Sequence, residues 1–135
     1  MSYYKQPPKD ENDLLRADVA TALWNLIYHE QELVKAQRIL AYAKVILARA
    51  DFGFTLQEAI EKDKQREDDL DYPVDATEWF QSRIADAAGT VEHHECELTK
   101  AHAVIACLKG IVARLNFTDI DFAEIAKQQK TRLDE

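Results

Sequence analysis

His29-Glu30-Gln31-Glu32-Leu33-Val34-Lys35-Ala36 returns 65 residues later as His94-Glu95-Cys96-Glu97-Leu98-Thr99-Lys100-Ala101. The register continues without a gap through Ala41/Ala106, Lys44/Lys109, Ile46/Ile111, Ala48/Ala113, Arg49/Arg114 and Phe52/Phe117. Between 29–52 and 94–117, 12 of 24 positions are identical. Ile39/Val104, Leu40/Ile105, Leu47/Val112 and Asp51/Asn116 are close replacements, and Asp10/Asp75, Ala20/Ala85, Ala22/Ala87, Ile60/Ile125 and Lys62/Lys127 keep the register outside the block. Shared helical composition produces scattered matches, whereas half of an ungapped block points to a tandem duplication. The reading is an N-terminal tail over 1–9, a first helical hairpin repeat over 10–66, an acidic linker over 67–74 and a second repeat over 75–135, together one globular domain.

Within each repeat the pattern predicts a long helix and then a short one. Asp10 and Asp75 are the predicted N-caps, with Asp13 and Glu78 three residues on, and Pro7, Pro8 and Pro73 stand upstream where they interrupt nothing. Leu15, Val19, Ala22, Leu26, His29, Leu33, Ala36, Leu40, Ala43 and Leu47 follow at alternating spacings of four and three. Adding 65 gives Phe80, Ile84, Ala87, Val91, His94, Leu98, Ala101, Ile105, Leu108 and Val112. That alternation is the seam of a helix packed along a near-parallel or antiparallel neighbour. Gly53 suits a left-handed terminating residue, Thr55 with Glu58 predicts a capping box, and Asn116-Phe117-Thr118-Asp119 is read as opening the second short helix.

The C-terminal half of each long helix is apolar nearly all round, as in Ile39-Leu40-Ala41-Tyr42-Ala43 and Val45-Ile46-Leu47-Ala48. The short helices are expected to fold back over it through Leu56, Ile60, Phe122 and Ile125. The predicted fold is therefore all-α: an elongated four-helix domain, with the long helices antiparallel about a pseudo-twofold axis. A homodimer of the same hairpins satisfies the pattern too, and leftover apolar positions such as Tyr28, Val34 and Val45 favour one. Gly89 and Gly110 stand where the first repeat has Trp24 and Val45. Gly89 is expected to mark close packing against Trp24 or Trp79, or else a helix break, and Trp24 and Cys107 are read as core residues.

Composition narrows the function classes. The 135 residues are 47% hydrophobic, with three Gly and three Pro, so a core is affordable and a many-stranded sheet protein is disfavoured. Seventeen Lys+Arg against 25 Asp+Glu leave a net charge of −8, which argues against direct nucleic-acid binding. No apolar run has the length of a membrane span and no secretory signal is apparent, so a soluble, cytoplasmic protein is expected. Cys96 and Cys107 form no motif, and at 11 residues apart on one helix they are too distant to bond to each other.

Two groups of residues are candidates for function. His29 and His94 break the apolar seam, each with a glutamate three residues later, Glu32 and Glu97. Convergence of these four at a helix crossing gives either a hydrogen-bonded polar layer that fixes register, or a metal site for Fe, Mn or Zn. The structural layer is the preferred reading, with no cofactor. His93, Cys96 and His102 in the second repeat offer an incomplete zinc set. The second group is the stretch 67–78, which holds six acids and no base. Asp68, Asp69, Asp71 and Tyr72 are the candidate contacts to a protein partner with a basic surface.

No phosphate loop, GxSxG elbow or HExxH motif is present. The leading expectation is a non-enzymatic protein–protein interaction module: a small acidic regulator, inhibitor or assembly adaptor. The alternatives are a metal-binding helical bundle, a magnesium-dependent nucleotide or phosphoester hydrolase using carboxylate pairs such as Glu92/Glu95 or Asp68/Asp71, and a DNA-mimicking inhibitor.

Overall fold

The computed structural model of the protein describes residues 10–65, 75–117 and 119–134. These form four helices and no strand: α1 (Glu11–Arg49), α2 (Leu56–Lys64), α3 (Ala76–Leu115) and α4 (Phe122–Asp134). No helix among the described residues is long and apolar enough to cross a membrane.

Local chemistry sets the helix ends. The Asp13 N–H donates to Asp10 Oδ1 at 3.0 Å and the Glu78 N–H to Asp75 Oδ1 at 2.9 Å, so each long helix begins on an aspartate cap. Thr55 and Glu58 form the reciprocal capping box at the start of α2. α4 starts on a different residue from the one expected. Asp121 accepts from the Glu124 N–H at 3.2 Å, while Asn116 belongs to the end of α3. At φ 57° Asn116 turns the chain left-handed, and the Phe117 N–H reaches Val112 O while the Asn116 N–H reaches Ala113 O. That pair of bonds is a Schellman closure, in which Asn takes the place glycine usually fills. Gly53 is also left-handed, at φ 78°, but it lies inside the α1–α2 loop, where its N–H bonds Asp51 Oδ1.

The chain divides into two compact units. Among the described residues, one comprises 10–30 together with those from Glu97 onward; the other is made of those between Gln31 and Cys96. The units cut across the sequence repeats, because each takes half of α1, half of α3 and one short helix. In the first unit Val19, Ala22 and Leu23 of α1 pack with Ile105 and Leu108 of α3, closed by Ile120 and by Ile125 of α4. In the second, Ala43 of α1 packs with Phe80, Ile84 and Ala85 of α3 and Ala59 of α2. Val19 and Ile84, which are 65 positions apart, are both 0% exposed, one at the heart of each unit. All twenty predicted seam positions are buried or half-buried.

The two units anchor their loops differently. In the first, Asn12 Nδ2 donates to Asp119 Oδ1 at 2.7 Å and Arg16 Nη2 to Asp119 Oδ2 at 2.9 Å, tying the start of α1 to the α3–α4 connection. The Asn12 hydrogen bond is the largest influence holding the Asp119 carboxyl below its ordinary range, and the Arg16 charge adds to it. In the second unit the corresponding place is aromatic: Phe52 and Phe54 lie 4.7 Å and 6.1 Å from Phe80, centroid to centroid.

Three packing expectations need correction. The helix α3 runs unbroken through Gly89, which is exposed, and a Cβ built there meets nothing within 4 Å, so neither close packing nor a break accounts for it. Cys107 is exposed, because it falls between the seam residues Ile105 and Leu108 and faces away from them. Trp24 is half-buried and stacks on Tyr28 one turn along its own helix, at 5.2 Å and 4° between planes. The short helices also cover less than expected. Through Ala59 and half-buried Leu56, α2 closes the seam side of α1, and Ile39, Tyr42, Val45 and Ile46 on the opposite side are exposed.

Candidate functional site

A cleft lies in the first unit beside His29, one of the residues that break the apolar seam. From α1 come Ala22, Asn25 and His29, and from α3 Glu97, Lys100, Ala101 and Val104; together they line a space of about 190 Å³. The cleft exists because Ala22 and Ala101 bring short side chains to seam positions, leaving room that a Leu would fill. Its polar groups are an imidazole, a carboxamide and a carboxylate. The carboxylate of Glu97 sits 3.4 Å from Lys100 Nζ on its own helix.

The second unit repeats several of these features. Glu32 pairs with Lys35 Nζ at 3.4 Å, the same i, i+3 contact. His94 is 8% exposed and meets the His93 ring edge-on at 5.1 Å and 66°, as His29 meets Tyr28 at 5.1 Å and 73°. Among the four residues singled out from sequence, His29 and Glu97 thus line the cleft of one unit, while Glu32 and His94 lie in the other. Among the described residues no three His, Cys, Asp or Glu side chains are grouped to hold a metal ion, and this covers His93, Cys96 and His102 as well. Each glutamate is within ion-pair distance of a lysine one turn along its own helix, which gives its charge a local partner.

Asp68, Asp69, Asp71 and Tyr72 lie outside the described residues. A further acid of the 67–78 stretch, Asp75, is engaged in starting α3, its carboxylate accepting from the Glu78 backbone N–H.

A third surface was marked in the sequence only by Val45, one of its leftover apolar positions. On the C-terminal half of α1, Tyr42 is 75% exposed, Ile39 55%, Val45 49% and Ile46 47%. Spacings of three and four put Ile39, Tyr42 and Ile46 on one side of the helix, away from seam residues Ala36, Leu40, Ala43 and Leu47. Lys35, Arg38 and Arg49 project on that same side and are exposed. Between 33 and 50 the chain has four bases and no acid, against a net charge of −8 overall. Lys35 has Glu32 beside it; neither Arg38 nor Arg49 has an acidic partner among the described residues. The legible signal was the run without acids over off-seam apolar positions. Apart from Val45, it was expected to lie under the short helix, because an apolar helix face looks the same in sequence whether it packs or not.

Comparison with protein-family models, curated proteins and solved structures finds no match. The residues and their geometry therefore carry the functional reading.

Proposed function

We propose that this chain is a non-enzymatic protein–protein interaction module, an adaptor or small regulator. The observation that carries the reading is the exposed apolar row on α1, Ile39, Tyr42, Val45 and Ile46, in a protein whose buried core is small. A contiguous apolar patch of this kind costs solubility and persists on surfaces that associate. The acidic stretch supplies a second contact by its charge: Asp68, Asp69 and Asp71, with Tyr72 among them, would steer a basic protein surface.

The scaffold in this proposal is a tandem duplication of one long-helix/short-helix hairpin, with α1 and α3 antiparallel. Supporting it are the aspartate caps at 10 and 75, the fully buried pair Val19 and Ile84, and the matching Glu–Lys contacts at 32/35 and 97/100. In each unit residues early in one long helix pack with residues late in the other, as Val19 does with Ile105 and Leu108.

The test is affinity capture from lysate with three baits: the wild type, a variant with Asp68, Asp69 and Asp71 changed to Asn, and a variant with Tyr42 and Ile46 changed to Ala. Loss of specific co-purifying proteins with either variant supports the reading. Identical capture by all three baits removes it.

A further inference from the structure

We infer that the exposed face of α1 is a docking site for an acidic amphipathic helix of a partner protein. This rests on the interaction-module reading and names the chemistry of one partner. The face has the form of a helix-binding strip. Ile39, Tyr42 and Ile46 repeat at the three–four spacing that a second helix matches with its own apolar row, and Val45 widens the strip on one side. Tyr42, the most exposed of the four, is the anchor: a large ring with a polar tip, the residue class that dominates interface energetics. From Lys35 to Arg49 the strip spans roughly 21 Å at 1.5 Å per residue, enough to seat about four turns of a partner helix.

Charge selects the occupant. Arg38 stands beside the apolar row, in the place where paired helices carry their specifying charges; Lys35 and Arg49 continue the row's own three–four register at its two ends, and no acid stands between 33 and 50. A second copy bound through the same face would set these cations against each other, so the face is unsuited to self-pairing. An anionic membrane is a poorer fit than a helix. The apolar row from Ile39 to Ile46 is roughly 10 Å long at 1.5 Å per residue. It holds a single aromatic residue, and the net charge of −8 opposes approach to an acidic leaflet. A helix bearing Leu-type residues at its own seam and Glu or Asp beside them satisfies both the strip and its rim.

The corresponding strip on α3 shows which parts matter. Val104 and Ile111 stand at the places of Ile39 and Ile46 and are likewise exposed. Tyr42, Val45 and Arg38, however, are replaced there by Cys107, Gly110 and Ala103. The anchor, its neighbour and the flanking cation are all missing, so each chain carries one docking site, on α1.

The experiment is selection of a displayed helix library against the full chain. Apolar residues are fixed at the seam positions of the library, and the flanking positions vary among Glu, Lys and Gln. Enrichment of Glu at the flanks is expected for the wild type. A selected peptide, measured by fluorescence anisotropy, should bind one to one and lose roughly tenfold or more in affinity on Tyr42→Ala, as an anchor residue does. A similar loss is expected when Arg38 and Arg49 are both changed to Glu, and Cys107→Ala should change nothing. Tyr42, Arg38 and Arg49 are exposed, so circular dichroism should find these variants folded like the wild type.

Absence of enrichment, enrichment of Lys, or binding that survives Tyr42→Ala overturns the proposal. So does Tyr42-dependent binding to phosphatidylserine vesicles without helix selection, or a Tyr42-dependent dimer in sedimentation of the protein alone. If selection fails while the lysate capture still depends on the acidic stretch, only this partner assignment falls; if both fail, the module reading falls with it.

Discussion

Replacing Ile84 by Ala tests whether the second unit has the core described for it. Ile84 is completely buried, and three of its buried companions in that cluster, Ala43, Ala59 and Ala85, are alanines with no longer side chain to swing into a void. Truncations of buried Ile typically cost about 2–5 kcal/mol, more where the surroundings collapse less, so a value in the upper half, about 3–5 kcal/mol, is expected. For a chain of this length the unfolding entropy is roughly 0.3 kcal/mol/K, which converts the loss to a fall in Tm of about 10–17 °C. Urea titration followed by far-UV circular dichroism gives the free energy, and a thermal scan gives Tm. Ile46→Ala is the internal control: an exposed side chain of the same type, expected to change stability by no more than about 0.5 kcal/mol. A loss below about 1 kcal/mol for Ile84→Ala with an unchanged m value, or equal losses for the two variants, would refute the packing described for this unit.

Gly89 lies in the exposed interior of α3 with open space around its missing Cβ, so Gly89→Ala should raise stability by about 0.5–1 kcal/mol in the same urea titration. Thr55→Ala removes one half of the α2 capping box and should cost about 1 kcal/mol, seen as faster amide exchange over 56–64 than in the wild type. Asp119 is held below its ordinary carboxylate range chiefly by the Asn12 hydrogen bond, with a backbone hydrogen bond and Arg16 adding to it, so its folded pKa lies below the unfolded one. The stabilisation it gives is complete above the unfolded pKa and disappears as pH falls through the lowered folded value. The wild type should therefore exceed Asp119→Asn in stability at neutral pH, with the difference vanishing in strong acid; a difference independent of pH would contradict the assignment.

Features written in a few adjacent residues were legible before the fold was known. Asp10, Asp75 and the Thr55–Glu58 box each act within one helical turn, and the structure gives all three their backbone partners. The seam was legible for a related reason: a period of four and three states which side of a helix is inward without stating what it faces. What the pattern lacked was a limit on burial. Cys107 and Tyr42 sit in apolar stretches and read as interior, yet the short helices reach only the seam side, and the second side of α1 is left to solvent. Gly89 misled for a different reason, since a glycine in a helix signals a special constraint only when something presses on it, and nothing does.

The candidate site was legible in part. His29 and His94 do interrupt the seam on α1 and α3, and a cleft forms beside His29. In sequence each histidine is paired with the glutamate three residues on, and all four, His29, Glu32, His94 and Glu97, are expected to converge at one helix crossing. In the structure the residue lining the cleft with His29 is Glu97, from the other long helix. Both glutamates meanwhile have their own-helix lysines at 3.4 Å, a contact any Glu-x-x-Lys helix can make. Short spacing identifies neighbours on one helix; it carries no information on which half of the second helix comes alongside.

Some positions 65 apart agree and others do not, and the contrast is informative at the α1 strip. At the buried seam Val19 and Ile84, Ala22 and Ala87, and Ala36 and Ala101 keep similar size and the same burial. Off the seam Tyr42, Val45 and Arg38 answer to Cys107, Gly110 and Ala103, changes that remove an aromatic ring, a branched side chain and a charge. Packing explains the first group, since altered volume in a close-packed interior is costly. It cannot explain the second, because an exposed Tyr, Val and Arg contribute little to folding and a face of alanine and lysine would keep α1 soluble at no loss. On the proposed duplication and docking strip, an exposed Tyr42 with Lys35, Arg38 and Arg49 along its face of α1, and Cys107 and Gly110 in the places of Tyr42 and Val45 on α3, is the asymmetry that a single binding face requires.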